Sequence, residues 1–342
     1  MSTPAAARLA ATPEQIALAI DIGGTTIKGA ALTRSGEMCA EITVPTREQQ
    51  RGPLDGVRLV LTELQRELGE HGREAHRVGL ASPGLIDTPT GTVGYSANLG
   101  WRDLALTDII AAEFGLPAVL LHDARAGAVA ERSALAAAGE PDASLAFVPI
   151  GTGIAAALVD GDRFVTGGAG GAGEFGHIVV VPGGEACPCG LAGCVEIYAS
   201  AANIVRRYRE RGGVASGAEQ VAARIPTDPR AAEVWSDAVD ALARGLAALT
   251  AILDPARIVI GGGLGLAGDT LLIPLRARTR TLLPWRPVPP IGASATGARA
   301  GLVGAGVAAW GEEGPDAGFV AAAIRHLEEA SGAAGNHGQR AS

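Results

Sequence analysis

An α/β fold built as two similar halves facing a cleft is predicted by three features of this sequence. The chain has 342 residues, too many for one small core and suited to about two domains. Short apolar runs of strand length alternate with segments of helical period. A strand, a glycine/threonine turn and a second strand occur twice, over Ile16–Leu32 and over Leu145–Val159.

Taken in order, Ile16–Ile20 reads as a buried strand and Ile27–Leu32 as its hairpin partner, with Asp21-Ile22-Gly23-Gly24-Thr25-Thr26 as the turn. Apolar residues at Val57, Val60, Leu61, Leu64 and Leu68 repeat at helical spacing. Val78–Ala81 is a strand that stops at Ser82-Pro83-Gly84. Leu104–Phe114 reads as a helix closed by Gly115, and Pro117–Leu121 as a strand running into His122-Asp123. Ala124–Ala138 is an alanine-rich helix, Leu145–Ile150 a strand, and Ile154–Val159 its partner across Gly151-Thr152-Gly153. Residues 164–196 are irregular and glycine-rich, and a long loop of that kind inside a compact protein usually carries function. Helical patterns return at Ile197–Arg209 and Trp235–Leu253, then a strand at Ile258–Ile260 enters Gly261-Gly262-Gly263, and Ala298–Trp310 is a helix of small residues. Residues 1–13 and 331–342 are small, polar and without periodicity, as expected of disordered tails.

Composition narrows the function classes. Net charge is −8 and no basic cluster stands out, so phosphate-backbone binding to nucleic acid is not expected. No apolar run is long enough to span a bilayer, and Met1–Thr12 has no continuous apolar core of a secretory signal. A cytoplasmic protein without membrane contact is the expectation.

Three glycine turns could hold a nucleotide: Asp21-Ile22-Gly23-Gly24-Thr25, Gly151-Thr152-Gly153 and Gly261-Gly262-Gly263. Glycine lets the backbone approach a phosphate and leaves N–H groups free to point at it. Thr25 adds a hydroxyl, and Asp21 stands where a carboxylate could face magnesium through water. Each turn alone also suits a plain hairpin.

Four cysteines are present, and Cys187, Cys189 and Cys194 fall within eight residues. With His177 they form a Cys₃His set, the composition of a closed structural zinc site. A filled tetrahedron leaves no position for a catalytic water, so the expected role is structural. Glu174 and Glu196 flank these ligands, and carboxylates held rigid by a metal would suit sugar hydroxyls. Asp123 is the best candidate proton acceptor, because it follows a strand and opens a helix; a helix N-cap is the alternative reading at that position. Asn98 offers an amide to a sugar, and Trp101 either a stacking ring or a core residue.

Together these residues resemble the ROK family (repressor, open reading frame, kinase) over about residues 14 to 312. The resemblance is carried by Asp21-Ile22-Gly23-Gly24-Thr25-Thr26-Ile27-Lys28, Ala81-Ser82-Pro83-Gly84-Leu85-Ile86-Asp87, Gly151-Thr152-Gly153-Ile154, Gly173-Glu174-Phe175-Gly176-His177, the Cys-x-Cys-Gly-x-x-Gly-Cys-x-Glu segment and Gly261-Gly262-Gly263. It implies an actin-like (ribonuclease H-like) ATPase fold, with a small domain of residues 14–121 plus 298–330 and a large one of 122–297 carrying the zinc loop. It further implies phosphorylation of a hexose by Mg-ATP, with Asp123 as catalytic base. Gly84, Asn98, His122, Glu174, His177 and Glu196 would border the sugar, with His177 also on zinc. Asp21, Gly23, Gly24, Thr25, Lys28, Gly151, Thr152, Gly153, Gly262 and Gly263 would border the nucleotide. Homodimers or homotetramers are expected, since many members assemble so. The wording Gly190-Leu191-Ala192-Gly193-Cys194-Val195-Glu196 leans toward glucose as acceptor; an N-acetylated amino sugar kinase and a non-catalytic sugar sensor are the alternatives. Two departures bear on this: His122 and Arg125 stand where glucose-phosphorylating members carry Asn. A family repressor would need a helix-turn-helix before the first glycine turn, and only about twenty residues lie there, without a basic recognition helix.

Overall fold

The computed structural model describes residues 14–48, 51–140, 144–161, 163–168 and 170–326. Both expected tails lie outside them.

The two predicted halves are two five-stranded sheets with one strand order. In the first, β1 (Ile16–Ile22) pairs antiparallel with β2 (Thr26–Thr33), which pairs antiparallel with β3 (Met38–Pro45). On the other side of β1 run β4 (Arg77–Ser82) and then β8 (Ala118–His122), both parallel to it. In the second, β9 (Leu145–Pro149), β10 (Ala157–Asp160) and β11 (Arg163–Phe164) repeat the antiparallel trio, and β12 (Arg257–Gly261) and β13 (Ile291–Ala293) the parallel pair. A small antiparallel sheet of β5 (Leu85–Asp87), β6 (Thr92–Ser96) and β7 (Trp101–Ala105) extends from the end of β4.

The helices cover the sheets because their apolar stripes demand it. α1 (Pro53–Glu70) buries the predicted Val57, Val60, Leu61, Leu64 and Leu68 against β2 and β3. α2 (Leu106–Phe114) ends at Gly115, whose φ of 69° is a left-handed C-cap. On the second sheet, α4 (Val195–Ala199), α5 (Ala201–Glu210) and α6 (Ala218–Arg224) pack with α7 (Pro229–Leu253), while α8 (Gly262–Gly265) and α9 (Asp269–Leu282) follow β12. Phe175, Trp235, Leu242 and Leu246 belong to its core.

α3 (Asp123–Ala137) and α10 (Ala300–Ala309) cross where the two halves meet. α10 leaves the second sheet through the loop after β13 and then packs on β1 and β4 of the first. The approach is so close that a Cβ on Gly304 would stand 1.6 Å from the carbonyl oxygen of Ala126, which is why α10 is a helix of small residues. Glu131 of α3 is buried and accepts from Ala295 N–H (3.0 Å), Thr296 N–H (3.0 Å), Ser294 Oγ (2.5 Å) and Thr296 Oγ1, so its two oxygens are met by four donors.

Several expectations are corrected. The helix expected from Leu104 begins at Leu106, because Trp101–Ala105 is committed to β7. The helix expected over Ile197–Arg209 is broken at Ser200, whose extended backbone and side-chain bond from Asn203 N–H (3.2 Å) cap a second helix. Ile154 makes only an isolated bridge to Ile150, and β10 starts at Ala157.

Candidate active site

Each glycine turn sits at the C-terminal end of a central strand, where open α/β sheets bind ligands. After β1, Gly23 N–H donates to the Thr26 carbonyl (2.9 Å). Thr46, from the end of β3, braces this turn through Oγ1 to the Gly23 carbonyl (2.6 Å) and through its N–H to the Thr25 carbonyl (2.9 Å). Gly24, Thr25 and Thr26 remain exposed. The second and third turns interlock: Ile150 N–H donates to the Gly261 carbonyl (3.0 Å) and Leu264 N–H to that of Ile150 (3.1 Å). Gly262 has φ 71°, and a Cβ there would lie 2.4 Å from the Ile150 oxygen, so glycine is required. Gly151 N–H turns back to the Gly153 carbonyl (3.0 Å), with Thr152 exposed between them.

Asp21 ends β1 opposite Lys28 of β2 in the strand register. Burial pushes its pKa up to about 6, the Lys28 charge pulls it down, and the Asp123 charge raises it again. β4 lies between β1 and β8, with Asp21 level with Ala81 and Ala81 with Leu121, so the predicted metal-facing carboxylate and the predicted base stand at the same edge of the first sheet. Lys28 Nζ also reaches the Ala298 carbonyl (3.5 Å), in the segment that enters α10.

The pKa of Asp21 has a stability consequence. A carboxyl raised above its usual 3.8 favours its neutral form in the folded state. Its contribution is full below pH 4 and is lost as pH rises through about 6. Asp21→Asn is accordingly expected to stabilise the ligand-free protein at pH 8 by on the order of 1–3 kcal/mol, with little effect at pH 4. Urea unfolding at the two pH values measures this; equal changes at both would contradict it.

Asp123 is the first residue of α3, and the N-cap is His122, whose Nδ1 accepts from Ala124 N–H (3.2 Å). Ala124 N–H also donates to Asp123 Oδ1 (2.6 Å), which lies 3.1 Å from His122 Nδ1. The departure at position 122 thus keeps a capping acceptor. The Asp123 side chain is 41% exposed, so it remains open to a substrate.

Asn98 stands exposed on the turn between β6 and β7, next to Gly24 and with its carbonyl held by Arg47 Nη2 (3.2 Å). Trp101 is 8% exposed and packs in the first core with Val93 and Leu99, so its ring is a core residue and not a stacking platform. Gly84, with φ 118°, lies against the Tyr95 carbonyl and ties the end of β4 to this hairpin. Glu196, at the start of α4, turns one oxygen inward: Oε2 accepts Ile154 N–H (2.8 Å), joining the second glycine turn to the cysteine loop.

The cysteine loop converges as its spacing predicted. One ligand atom each from His177, Cys187, Cys189 and Cys194 lies within 4.8 Å of the others. Cys189 Sγ and Cys194 Sγ are 3.6 Å apart, and Cys187 Sγ and His177 Nδ1 3.9 Å. A tetrahedron with metal–sulfur bonds of about 2.3 Å has edges of about 3.8 Å, so the donor set fits a bound ion. Gly193 has φ 84°, and a Cβ there would meet the Val181 oxygen at 1.7 Å, so the return of the chain to Cys194 needs glycine. Burial, then the neighbouring Cys189 and Cys187, push the Cys194 thiol up to about 12, a state that a bound cation would reverse. With Nδ1 on the metal side, His177 Nε2 faces Glu174 Oε2 at 4.0 Å. Glu185 anchors the loop to α5 through Arg206 and Arg207, at 2.7 Å each.

Sequence reasoning missed Thr46, Arg47 and Glu131. Their partners are 23, 51 and about 165 residues away, and none belongs to a local pattern.

A profile of the ROK family matches residues 17–311. The chain belongs to the ROK family. A glucokinase of Halalkalibacterium halodurans is 34% identical over 275 residues, 75% of this chain and 83% of that protein. An N-acetylmannosamine kinase of Yersinia pseudotuberculosis is 32% identical over 263 residues, 73% of this chain and 83% of that one. Among solved structures, a ROK glucokinase of Streptomyces griseus with glucose and AMPPNP superposes at a TM-score of 0.74 with 30% identity, covering 86% of this chain and 99% of that one. The duplicated strand order is that of the actin-like ATPase fold, so the fold expected of this ROK chain is the one observed.

Proposed function

We propose that this ROK protein transfers the terminal phosphoryl group of Mg-ATP to a hexose hydroxyl, with glucose the preferred acceptor and glucose 6-phosphate the product. The observation that carries the reading is the strand register: Asp21 of β1 pairs with Ala81 of β4, which pairs with Leu121 of β8, so Asp21 and Asp123 stand at the same edge of the first sheet, where the turn after β1 exposes Gly24 and Thr25. Asp123 takes the proton of the attacking hydroxyl as the bond to phosphorus forms. Gly23 and Gly151 close their turns with their own N–H groups, and the N–H groups of Gly24, Thr25, Thr152, Gly153 and Gly263 with the hydroxyls of Thr25 and Thr152 meet the donor's phosphates, bordered by Gly262. Lys28 adds positive charge near them. Asp21 would hold magnesium through water. The ion, when bound, offsets charge on the transferring group.

Asn98, His122, Glu174, His177 and Glu196 border the sugar, and Gly84 shapes its floor. Zinc on His177, Cys187, Cys189 and Cys194 fixes the loop that carries both glutamates. Residues 14–121 with 298–330, of which 298–326 are described, form one domain, and 122–297 the other. The protein works in the cytoplasm as a homodimer or homotetramer.

Glucose is favoured because glucokinases stand among its relatives at 31–34% identity. The N-acetylmannosamine kinases at 32% make an N-acetylated amino sugar the second reading, as the same acceptor groups would serve it. A coupled assay of ADP release over glucose, mannose, N-acetylmannosamine and N-acetylglucosamine is expected to give the highest kcat/KM with glucose. No sugar-dependent ADP release from any of them would overturn the kinase reading in favour of a sensor.

A further inference from the structure

We infer that Arg125 is a positioning residue, which straps the glycine segment leading to Glu174 onto the helix that presents Asp123. The inference rests on the kinase reading for its consequence, though not for its geometry. Arg125 Nη2 donates to the Gly170 carbonyl at 2.7 Å. This bond spans 45 residues and joins the first turn of α3 to the loop ahead of the cysteine site.

Among the described residues, the segment it holds has few other bonds. Space around Gly170 and Gly171 is open, since an added Cβ would meet nothing within 4 Å at either. Gly170 N–H makes a long bond of 3.4 Å to Gly167, and Ala172 N–H bonds Thr166 within the same loop. Neither fixes the segment relative to α3. Downstream the chain is firmly seated: the Gly173 carbonyl accepts Ala156 N–H (2.7 Å), and Phe175 is 3% exposed in the second core. Glu174 is thus held from the second sheet on one side and, on the other, through Arg125 from the helix of the base.

The guanidinium is suited to this task. Among the described residues no carboxylate pairs with Arg125, and desolvation lowers its pKa. A carbonyl oxygen is the acceptor that its half-buried position supplies. Residues two apart on a helix point to different sides. Arg125 therefore does not share the direction of Asp123 and acts on the rim of the site instead of the transferring group.

The test combines hydrogen exchange on the ligand-free protein with steady-state kinetics, using Arg125→Ala and Arg125→Lys. In Arg125→Ala, the bonded amides within 170–174, those of Gly170 and Ala172, are expected to exchange about fivefold faster or more, the factor set by losing one such bond. Amides of α7 report that the fold is intact. KM for the sugar should rise by about fivefold or more with kcat changed much less, and Arg125→Lys, which keeps one donor, should fall between. Unchanged exchange at 170–174 overturns the strap. A fall in kcat with sugar KM unchanged also overturns it, because the guanidinium would then act on the phosphoryl group. Wild-type protein without sugar-dependent turnover would remove the kinase reading, while the exchange result still decides the strap.

Discussion

Asp123→Asn is expected to lower kcat by about 10²–10⁴-fold, the usual contribution of a positioned general base, while sugar binding stays within a few-fold of wild type. The amide has the shape of the carboxyl and can still accept Ala124 N–H through its oxygen, and His122 continues to cap α3. What it cannot do is take the hydroxyl's proton. Steady-state kinetics and calorimetric sugar binding separate the two effects. There is a second readout. Asp123 raises the pKa of Asp21, so removing its charge should move the titration of Asp21 below about 6. A variant with unchanged kcat would show that another group accepts the proton.

Cys187→Ser, or stripping the metal with a strong chelator, is expected to lower the melting temperature by about 5–15 °C and raise the sugar KM by about tenfold. The coupling follows from the chain path. Cys187 and Cys194 are buried, and Cys194 is the N-cap of α4, whose next residues include Glu196. Glu196 in turn binds Ile154 N–H beside the second glycine turn. Releasing the ion frees one thiol pushed up to about 12 and loosens a loop that touches both substrates' sides of the site. Metal analysis of purified protein should give one zinc per chain; its absence, or a loss of stability without a change in KM, would contradict the assignment.

Much of the candidate site's layout was readable because its turns and its cysteine loop are written locally. The turns after β1, β9 and β12 are short glycine-rich stretches, and the cysteine loop gathers three ligands in eight residues with glycines at its bends. Strands and helices with clear periods, such as β1 and α1, appeared where their patterns placed them. What stayed hidden depends on distant partners. β5, β6 and β7 are short and carry Trp101 inward, which no alternation in so few residues reveals. The break at Ser200 turns on one hydroxyl choosing a backbone N–H over continuing the helix. Thr46, Arg47 and Glu131 act on residues that only the tertiary fold brings near. The exchange of the N-cap from Asp123 to His122 was also invisible, since both side chains offer a suitable acceptor.

The route of α10 sets an order of events during synthesis. Ala19, Ala30, Leu32 and Ala81 of the first sheet are covered by Leu302, Val303, Ala305 and Phe319. Those covering residues leave the ribosome about 220 to 300 residues after the strands they protect, so the early sheet emerges with that face met only by Ala126 and Ala130 of α3. The later half needs nothing so remote and can condense first. A nascent chain stalled before residue 300 should therefore be captured by chaperones through its early strands, and one released after residue 320 should not.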